Sequence, residues 1–245
     1  MILRKDFSNL LMQKYNSISD YLCQNGITAY RLIGHTIPDF PAAVEIYGTN
    51  AVIHVFGYIT SEELKNLQLF LSDYLGMDGF FFKNRSRGEM NLPVSQERKI
   101  VQEEYGNKFI INLSDEYLDT GLFLDHRETR RLIGSLSRDK TVLNTFAYSG
   151  SFSVYAARSP ACSTYSVDLS GVYCDWIKEN LKLNDISLDN NFIYKMDTFE
   201  FFRYARKKNL VFDIIIIDPP TFSKNKRKSF SVQKDHPLLI NNALE

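Results

Sequence analysis

The sequence predicts an α/β fold built on a parallel sheet within residues 140–222. Short apolar runs typical of β-strands occur at 141–146, at 164–167, directly before Asp197 and at 214–217. Segments with the apolar spacing of helices separate these runs. Strands that alternate with helices favour a parallel sheet with helices on its faces.

Polar residues stand where the predicted strands end, at Asn144, Asp168, Asp197 and Asp218. In an open α/β sheet, ligands bind in the crevice beyond the carboxyl ends of the strands. We therefore expect these four side chains to line one pocket.

The loop after the first strand ends in Gly150, which allows close backbone approach before a helix that begins at Ser151. The unpaired N–H groups at a helix start bind a carboxylate or a phosphate. Asp168 follows Gly150 by 18 residues, and an acidic residue there is the usual partner of the ribose hydroxyls of adenosine. A nicotinamide-dependent oxidoreductase would need G-x-G-x-x-G in this loop, which contains Gly150 alone.

The third and fourth strand ends carry two further carboxylates. Asp197 either caps the next helix or accepts a hydrogen bond from an adenine amino group. Asp218 ends the most apolar run, and Pro219 and Pro220 follow at once. Two prolines remove two backbone donors and fix the turn. Their carbonyl oxygens are then free to accept from a flat substrate that bears an amino group.

Three separated motifs resemble the class I S-adenosylmethionine-dependent methyltransferases of ribosomal RNA. Residues 144–150 (NTFAYSG) are similar to the family's N-L-F-x-Y-T-G loop, and residues 117–127 (YLDTGLFLDHR) resemble the segment before its sheet. Residues 218–223 (DPPTFS) and 232–236 (VQKDH) are most similar to its 23S rRNA guanine-N7 subgroup, often the C-terminal half of a bifunctional enzyme. The resemblance implies a Rossmann-like class I methyltransferase sheet, S-adenosyl-L-methionine as cofactor and 23S ribosomal RNA as partner.

The resemblance also implies the site residues. Those assigned to the cofactor are Asp125, Arg127, Asn144, Phe146, Tyr148, Ser149, Gly150, Asp168, Asp197 and Asp218. The loop would face the methionine end, Asp168 the ribose and Asp197 the adenine. The catalytic lip, where the target base meets the methyl group, would be Asp218, Pro219 and Pro220.

The residue after the prolines bears on the target atom. Guanine N7 carries a free lone pair, so positioning and exclusion of water would supply most of the rate. Methylation of cytosine C5 would instead need a cysteine nucleophile. Thr221 follows Pro220, and the cysteines are Cys23, Cys162 and Cys174. A ring nitrogen is therefore favoured, and cytosine C5 is kept as an alternative.

The family's sheet continues past the D-P-P motif, whereas this sequence stops at Glu245 within a predicted helix. We therefore expect a C-terminally truncated chain whose sheet is incomplete and lacks its last strands. An unpaired strand edge favours pairing with another chain, so self-association through this edge is expected. A catalytically impaired remnant that still binds RNA or cofactor is the alternative function.

The first part of the chain predicts a small accessory α+β domain, residues 1–107, ahead of a cofactor-binding domain, residues 108–245. The predicted elements are a helix at 7–22, strands at 29–33, 43–47 and 51–57, a helix at 60–75 and a strand at 80–83. The polar segment 84–107 is predicted to be a linker. A hairpin of strands 108–113 and 117–124 and a helix at 125–137, capped by Asp125, then lead into the sheet.

Composition limits the partners. Lys plus Arg and Asp plus Glu balance at 29 each, so any RNA contact has to be local. The predicted RNA contacts, for which a solvated surface is the alternative, are Arg85, Arg87, Lys224, Lys226, Arg227 and Lys228. The sequence has no apolar stretch of ~18 residues and no cysteine pattern of a metal or disulfide site. We therefore expect a cytoplasmic protein with no membrane span and no metal.

Overall fold

The computed structural model describes residues 5–35, 40–86, 92–93, 98–114, 119–224 and 229–245. The chain forms two compact units, Met1–Leu124 and Asp125–Glu245. The domain boundary predicted from the sequence, between residues 107 and 108, lies earlier in the chain than the boundary between these units. It falls at the start of a strand that belongs to the first unit.

The first unit is built on a four-stranded sheet. Its strands are β1 (Ala29–Ile33), β2 (Ala42–Tyr47), β3 (Asn50–Val55) and β4 (Gly79–Asn84), in the order β1-β2-β3-β4. The pairs β1–β2 and β2–β3 are antiparallel, and β3–β4 is parallel. Two helices, α1 (Lys5–Gln24) and α2 (Ser61–Leu75), contribute Leu11 and Leu67 to the core that also buries Val44 and Ile53 of the sheet.

A charged cluster centred on buried Glu45 lies on the sheet face opposite this core, because successive strand residues point to opposite faces. We call it the Glu45 cluster, and its members are Arg31, Glu45, Tyr47, His54, Arg85, Asp119 and Thr120. Glu45 Oε1 accepts from Nε and Nη2 of Arg31 at 3.0 and 2.7 Å. Glu45 Oε2 lies 2.9 Å from the Tyr47 hydroxyl and 3.0 Å from His54 Nε2. Both oxygens of this carboxylate are therefore fully engaged.

A hairpin follows the sheet, and the sequence analysis predicted only its second strand. It pairs β5 (Lys99–Glu104) with β6 (Asn107–Asn112) through Tyr105 and Gly106, whose φ angles are 50° and 76°. Positive φ at both positions is what a two-residue type I′ turn requires. The strand predicted at 108–113 corresponds to β6. The linker predicted at 84–107 was wrong where β5 lies. The strand predicted at 117–124 was also wrong, since residues 119–123, the part of that segment the structure describes before Leu124, form no strand.

The second unit contains the predicted parallel sheet. Its strands are β7 (Thr141–Thr145), β8 (Ser163–Asp168), β9 (Asn191–Lys195) and β10 (Ile214–Ile217), in the order β10-β7-β8-β9. The connecting helices are α4 (Ser151–Arg158), α5 (Gly171–Leu183) and α6 (Thr198–Lys207), with α3 (Arg127–Leu136) before the sheet and β11 (Phe222–Lys224), β12 (Ser229–Ser231) and α7 (Val232–Leu244) after it. The alternation predicted for residues 140–222 is confirmed, and all three pairings are parallel.

Both faces of this sheet are covered, as parallel sheets require. One core holds Leu143, Val167 and Phe201, and another holds Val142 and Phe152. Within the described ranges, the outer edge of β10 pairs with no strand, and self-association through it stays a prediction.

The start of α3 differs from the prediction. Asp125 lies in a 3₁₀ turn, Leu124–His126, and His126 occupies the N-cap position without a side-chain capping bond. The prediction that Asp125 caps this helix was wrong.

Candidate functional site

The loop between β7 and α4 has an unusual backbone. Phe146, Tyr148 and Gly150 have φ angles of 53°, 51° and 77°, in the left-handed region that non-glycine residues seldom adopt. A Cβ on Gly150 would lie 2.9 Å from Cγ2 of Ile177 on α5. Glycine is therefore required here both by the backbone angle and by the close packing of the loop on α5.

Hydrogen bonds from neighbouring elements fix this loop. The Tyr148 N–H donates to Asp168 Oδ2 at 3.0 Å, and the Ala147 N–H donates to the Val167 carbonyl at 3.0 Å. The amide of buried Asn180 on α5 donates to the Ser149 carbonyl at 2.9 Å. Strain in a loop persists only where the surroundings over-determine it, as happens at binding sites.

Aromatic rings on α5 hold the side chain of Tyr148. Its ring packs edge-on against Tyr173 with centroids 4.7 Å apart, and against Trp176 at 5.7 Å. Neither partner was among the predicted site residues, because nothing in their spacing distinguishes them from ordinary core aromatics.

Asp168 links the loop to the start of α5. Besides the bond from Tyr148, its Oδ1 accepts from the Ser170 N–H at 2.8 Å. Burial raises the pKa of this carboxyl, against the opposing backbone hydrogen bonds from Ser170, Tyr148 and Leu169. In the described part of the chain, its hydrogen bonds come from backbone N–H groups and no cation forms an ion pair with it. A carboxylate in this state can accept further hydrogen bonds from hydroxyl donors.

Asp197 caps α6, which was one of its two predicted roles. Its Oδ1 accepts from the N–H groups of Phe199 and Glu200 at 3.0 and 3.3 Å. Oδ2 receives no hydrogen bond from the described residues, so the second role, acceptance from an adenine amino group, is compatible with the cap.

An exposed apolar side chain follows Asp168 at the end of β8. Leu169 directly follows Asp168 and is 51% exposed. An exposed leucine at a strand end offers an apolar surface for a flat ring, and Leu169 was not among the predicted site residues.

Asn144 is placed differently from the rest of the loop motif. It is buried, and its Nδ2 donates to Ser153 Oγ at 3.0 Å, which in turn lies 2.7 Å from Ser166 Oγ. This chain of hydrogen bonds ties β7 to α4 and β8. The structure thus gives Asn144 a bracing role, and its predicted contact with a cofactor stays a prediction.

Asp218 follows β10 and is half exposed, with Oδ2 3.5 Å from Nε2 of His126. The His126 ring packs against Phe152 on α4, with centroids 5.8 Å apart. Pro219 is partly buried and Pro220 is exposed. The segment before the sheet therefore meets the D-P-P motif through a histidine that was not among the predicted site residues.

The other predicted residues are spread more widely. Asp125 is exposed and Arg127 is half-buried, on either side of His126. Arg85 belongs to the Glu45 cluster of the first unit, where it donates to His54 Nδ1 at 3.1 Å and to Asp119 at 2.9 Å. Arg87, Lys226, Arg227, Lys228 and the side chain of Lys224 lie outside the described residues.

The described residues provide neither a cluster of metal ligands nor a membrane-spanning helix. They contain no group of three or more His, Cys, Asp or Glu side chains able to hold a metal ion. Every helix among them is too short or too polar to cross a lipid bilayer.

The chemistry of the site suits an adenosine-containing cofactor. Asp168 offers a carboxylate to hydroxyl groups, Asp197 offers an oxygen to an amino group, and Leu169 offers an apolar surface. The N-terminus of α4 lies directly after the strained loop, where N–H groups attract a carboxylate. These donors and acceptors match the ribose, adenine and amino-acid ends of S-adenosyl-L-methionine.

Comparison with known proteins identifies the family. Residues 93–243 match the S-adenosylmethionine-dependent methyltransferases. Ribosomal RNA large subunit methyltransferase K of Neisseria meningitidis is 37% identical over 98% of this chain and 72% of its own length. The K/L methyltransferase of Pseudoalteromonas translucida is 39% identical over 96% of this chain, which spans 35% of that protein.

Solved structures agree with this match. A methyltransferase crystallised with SAH has a TM-score of 0.86 and 31% identity, over 97% of this chain and 63% of the other. An S-adenosylmethionine-dependent methyltransferase from Streptococcus mutans has a TM-score of 0.83 and 30% identity, with the same coverage of 97% and 63%. The predicted class I methyltransferase fold and its cofactor are confirmed, and the chain belongs to the S-adenosylmethionine-dependent methyltransferase family that includes the ribosomal RNA large subunit methyltransferases K and K/L.

Proposed function

We propose that this chain methylates N7 of a guanine in 23S ribosomal RNA. The observation that carries the proposal is the lip formed by Asp218, Pro219 and Pro220, which follows β10 and is held beside α4 through His126. The names of the relatives, which refer to large-subunit ribosomal RNA, support the substrate. A ribosomal substrate also implies a cytoplasmic protein.

The cofactor would be held by the carboxyl ends of the strands. Asp168 would accept from the two ribose hydroxyls, and Oδ2 of Asp197 from the adenine amino group, with Leu169 against the ring. The methionine end would face the loop of Phe146, Tyr148, Ser149 and Gly150, flanked by Asp125 and Arg127, with Asn144 behind it. When bound, S-adenosyl-L-methionine supplies a methyl group activated by its sulfonium charge.

The lip would present the target base. N7 brings its own lone pair, so no residue of this chain has to remove a proton before the N–C bond forms and the S–C bond breaks. The guanine ring becomes cationic as it is methylated, and a nearby Asp218 carboxylate would stabilise that charge. Pro219 and Pro220 carry no N–H groups, so their carbonyl oxygens remain available to the amino group of guanine.

A cysteine mechanism finds no support near this lip. Cytosine C5 methylation needs an accessible thiolate, and Thr221 occupies the position after Pro220. Cys174 is buried, burial raises its pKa, and its thiol lies 3.7 Å from the Asp168 carbonyl oxygen. A ring nitrogen is thus the better target than cytosine C5.

Basic residues of the first unit and of the segment after the lip would contact the RNA strand. Lys224, Lys226, Arg227 and Lys228 would bind phosphates, which position RNA without reading its sequence. Arg85 already donates to two side chains of its own unit, so any phosphate contact would have to share its guanidinium, whereas Arg87 stays a predicted RNA contact.

Methyl transfer from tritiated S-adenosyl-L-methionine to 23S rRNA tests the proposal, with borohydride and aniline cleavage to detect 7-methylguanine. We expect incorporation at a guanine, and a loss of about 100-fold in Asp218→Ala. Asp213→Ala is the matched control, because Asp213 precedes β10 at its other end. Methyl groups on cytosine would contradict the proposal. Cofactor binding without any transfer would favour an impaired binding remnant.

A further inference from the structure

We propose that His126 is a positioning residue for the Asp218 carboxylate. The inference rests on the proposed methyl transfer and extends it to a residue before the sheet. Oδ2 of Asp218 lies 3.5 Å from His126 Nε2, within ion-pair distance. Asp218 makes no other polar side-chain contact with the described residues, so His126 is what restricts its orientation.

Rigid elements fix His126 itself. It occupies the N-cap position of α3, so its backbone is tied to a helix start. Its ring meets the ring of Phe152 at an interplanar angle of 63°, and Phe152 is 8% exposed in the first turn of α4. Two helices therefore determine where Nε2 points.

The pair leaves one carboxylate oxygen available. His126 engages Oδ2, and Oδ1 stays open on a side chain that is 47% exposed. A half-exposed carboxylate without such a partner samples several rotamers, and each binding event then has to restrict it. Small displacements of a group that presents a substrate lower the rate steeply. His126 thus has its effect on turnover through Asp218 and has no contact of its own with the reacting atoms.

The surroundings argue against a purely structural role. Ion pairs with this much exposure contribute little to stability. The helix start gains no capping bond from the His126 side chain either. Replacement of this histidine should therefore leave folding unchanged and alter the transfer step.

The test compares His126→Gln with His126→Ala, since a glutamine amide can place one N–H donor near the position of Nε2. We expect His126→Ala to lower kcat for rRNA methylation about tenfold, with the Kd for S-adenosyl-L-homocysteine unchanged. His126→Gln should recover at least half of the wild-type rate. His35→Ala removes an exposed histidine of the first unit whose ring packs against Phe56 with centroids 4.7 Å apart; it is the matched control and should behave as wild type.

A wild-type rate in His126→Ala would overturn the inference, and so would a folded His126→Gln variant as slow as the alanine variant. Nitrogen-15 NMR of the imidazole gives a readout that does not depend on activity. We expect the Nε2–H tautomer in the wild type, because a carboxylate 3.5 Å from Nε2 favours a proton on that nitrogen, and a shift toward a mixture in Asp218→Ala. Identical tautomer populations would refute the contact. If the wild-type chain transfers no methyl group, the proposed function fails on its own, and the NMR result still decides whether His126 holds Asp218.

Discussion

The two units of this chain use carboxylates in opposite ways. In the first unit, Glu45 receives hydrogen bonds on both oxygens from Arg31, Tyr47 and His54. In the second unit, the hydrogen bonds that Asp168 and Asp197 accept from the described residues come from backbone N–H groups. The first arrangement is complete without a ligand, whereas the second leaves acceptor capacity at the edge of a sheet where ligands bind.

The pKa shifts of the two buried carboxyls differ accordingly. Burial alone would raise the pKa of Glu45, but the hydrogen bonds from His54 and Arg31 and the charge of Arg31 hold it at about 2. Burial raises the pKa of Asp168, and its backbone hydrogen bonds do not reverse the shift. The charge of Glu45 therefore stabilises the folded protein, while the charge of Asp168 costs stability until a ligand compensates for it. This contrast distinguishes a structural carboxylate from one poised for binding.

The largest expected effect is on the stability of the first unit. Glu45→Gln should lower its free energy of unfolding at pH 7 by about 3 kcal/mol, because the folded pKa of about 2 lies well below the reference value of 4.5. In the wild type this contribution is fully present above pH 4.5 and is lost as the pH falls toward 2. Urea unfolding followed by circular dichroism between pH 7 and 3 measures both effects.

Tryptophan fluorescence shows which of the two units loses stability. The single tryptophan, Trp176, lies on α5 in the second unit, so its signal should be unaffected by Glu45→Gln. The control is Glu62→Gln, an exposed residue of α2, which should change stability by no more than about 0.5 kcal/mol. Equal stability of the Glu45 and Glu62 variants would mean that the buried cluster is not structural.

The second prediction concerns Asp168. Asp168→Asn should weaken binding of S-adenosyl-L-homocysteine by about 30- to 100-fold, the usual loss for hydrogen bonds to a charged group. Because the folded pKa is raised, the carboxylate costs stability above it, and its removal should leave the unfolding free energy nearly unchanged at pH 7. Isothermal calorimetry and Trp176 fluorescence measure the two quantities.

A neighbouring aspartate supplies the control for this experiment. Asp175→Asn removes the same charge from an exposed position on α5, where it pairs with Lys178 at 2.9 Å, and should bind as wild type. An Asp168→Asn variant that binds S-adenosyl-L-homocysteine normally but unfolds at lower urea concentration would show that Asp168 is a structural carboxylate like Glu45. The proposed difference between the two units would then be wrong.

The local pattern of residues in the sequence predicted the sheet of the second unit well. The run of four isoleucines, the Gly150 loop and the strand-ending aspartates are signals carried by adjacent residues, and the structure reproduces them. Strand β5 and its pairing with β6 were missed because KIVQEE mixes charged and apolar residues, so that the turn at Tyr105 and Gly106 is the main local signal of this pairing.

Contacts between segments that are distant along the chain could not be predicted from the sequence. His126 and Asp218 meet only because α3 and the end of β10 lie beside α4. Asn144 has the position of a pocket residue in its motif, yet Ser153 and Ser166 draw its amide into the interior. Asn180, which holds the loop through Ser149, lies mid-helix with no feature that marks it.

The smallest expected effect separates the two roles of Asp197, which lies between the two classes of carboxylate. Asparagine caps helices about as well as aspartate, whereas alanine costs about 1 kcal/mol. Asp197→Asn should therefore keep the stability of α6 and weaken S-adenosyl-L-homocysteine binding by about fivefold, since the single amide oxygen stays at the cap and an NH2 group, which cannot accept, replaces the open Oδ2. Asp197→Ala should show the same loss of affinity and also the loss of the cap in urea unfolding. If the asparagine variant binds as tightly as the wild type, Asp197 is a cap alone, and the open oxygen at this strand end does not contribute to ligand binding.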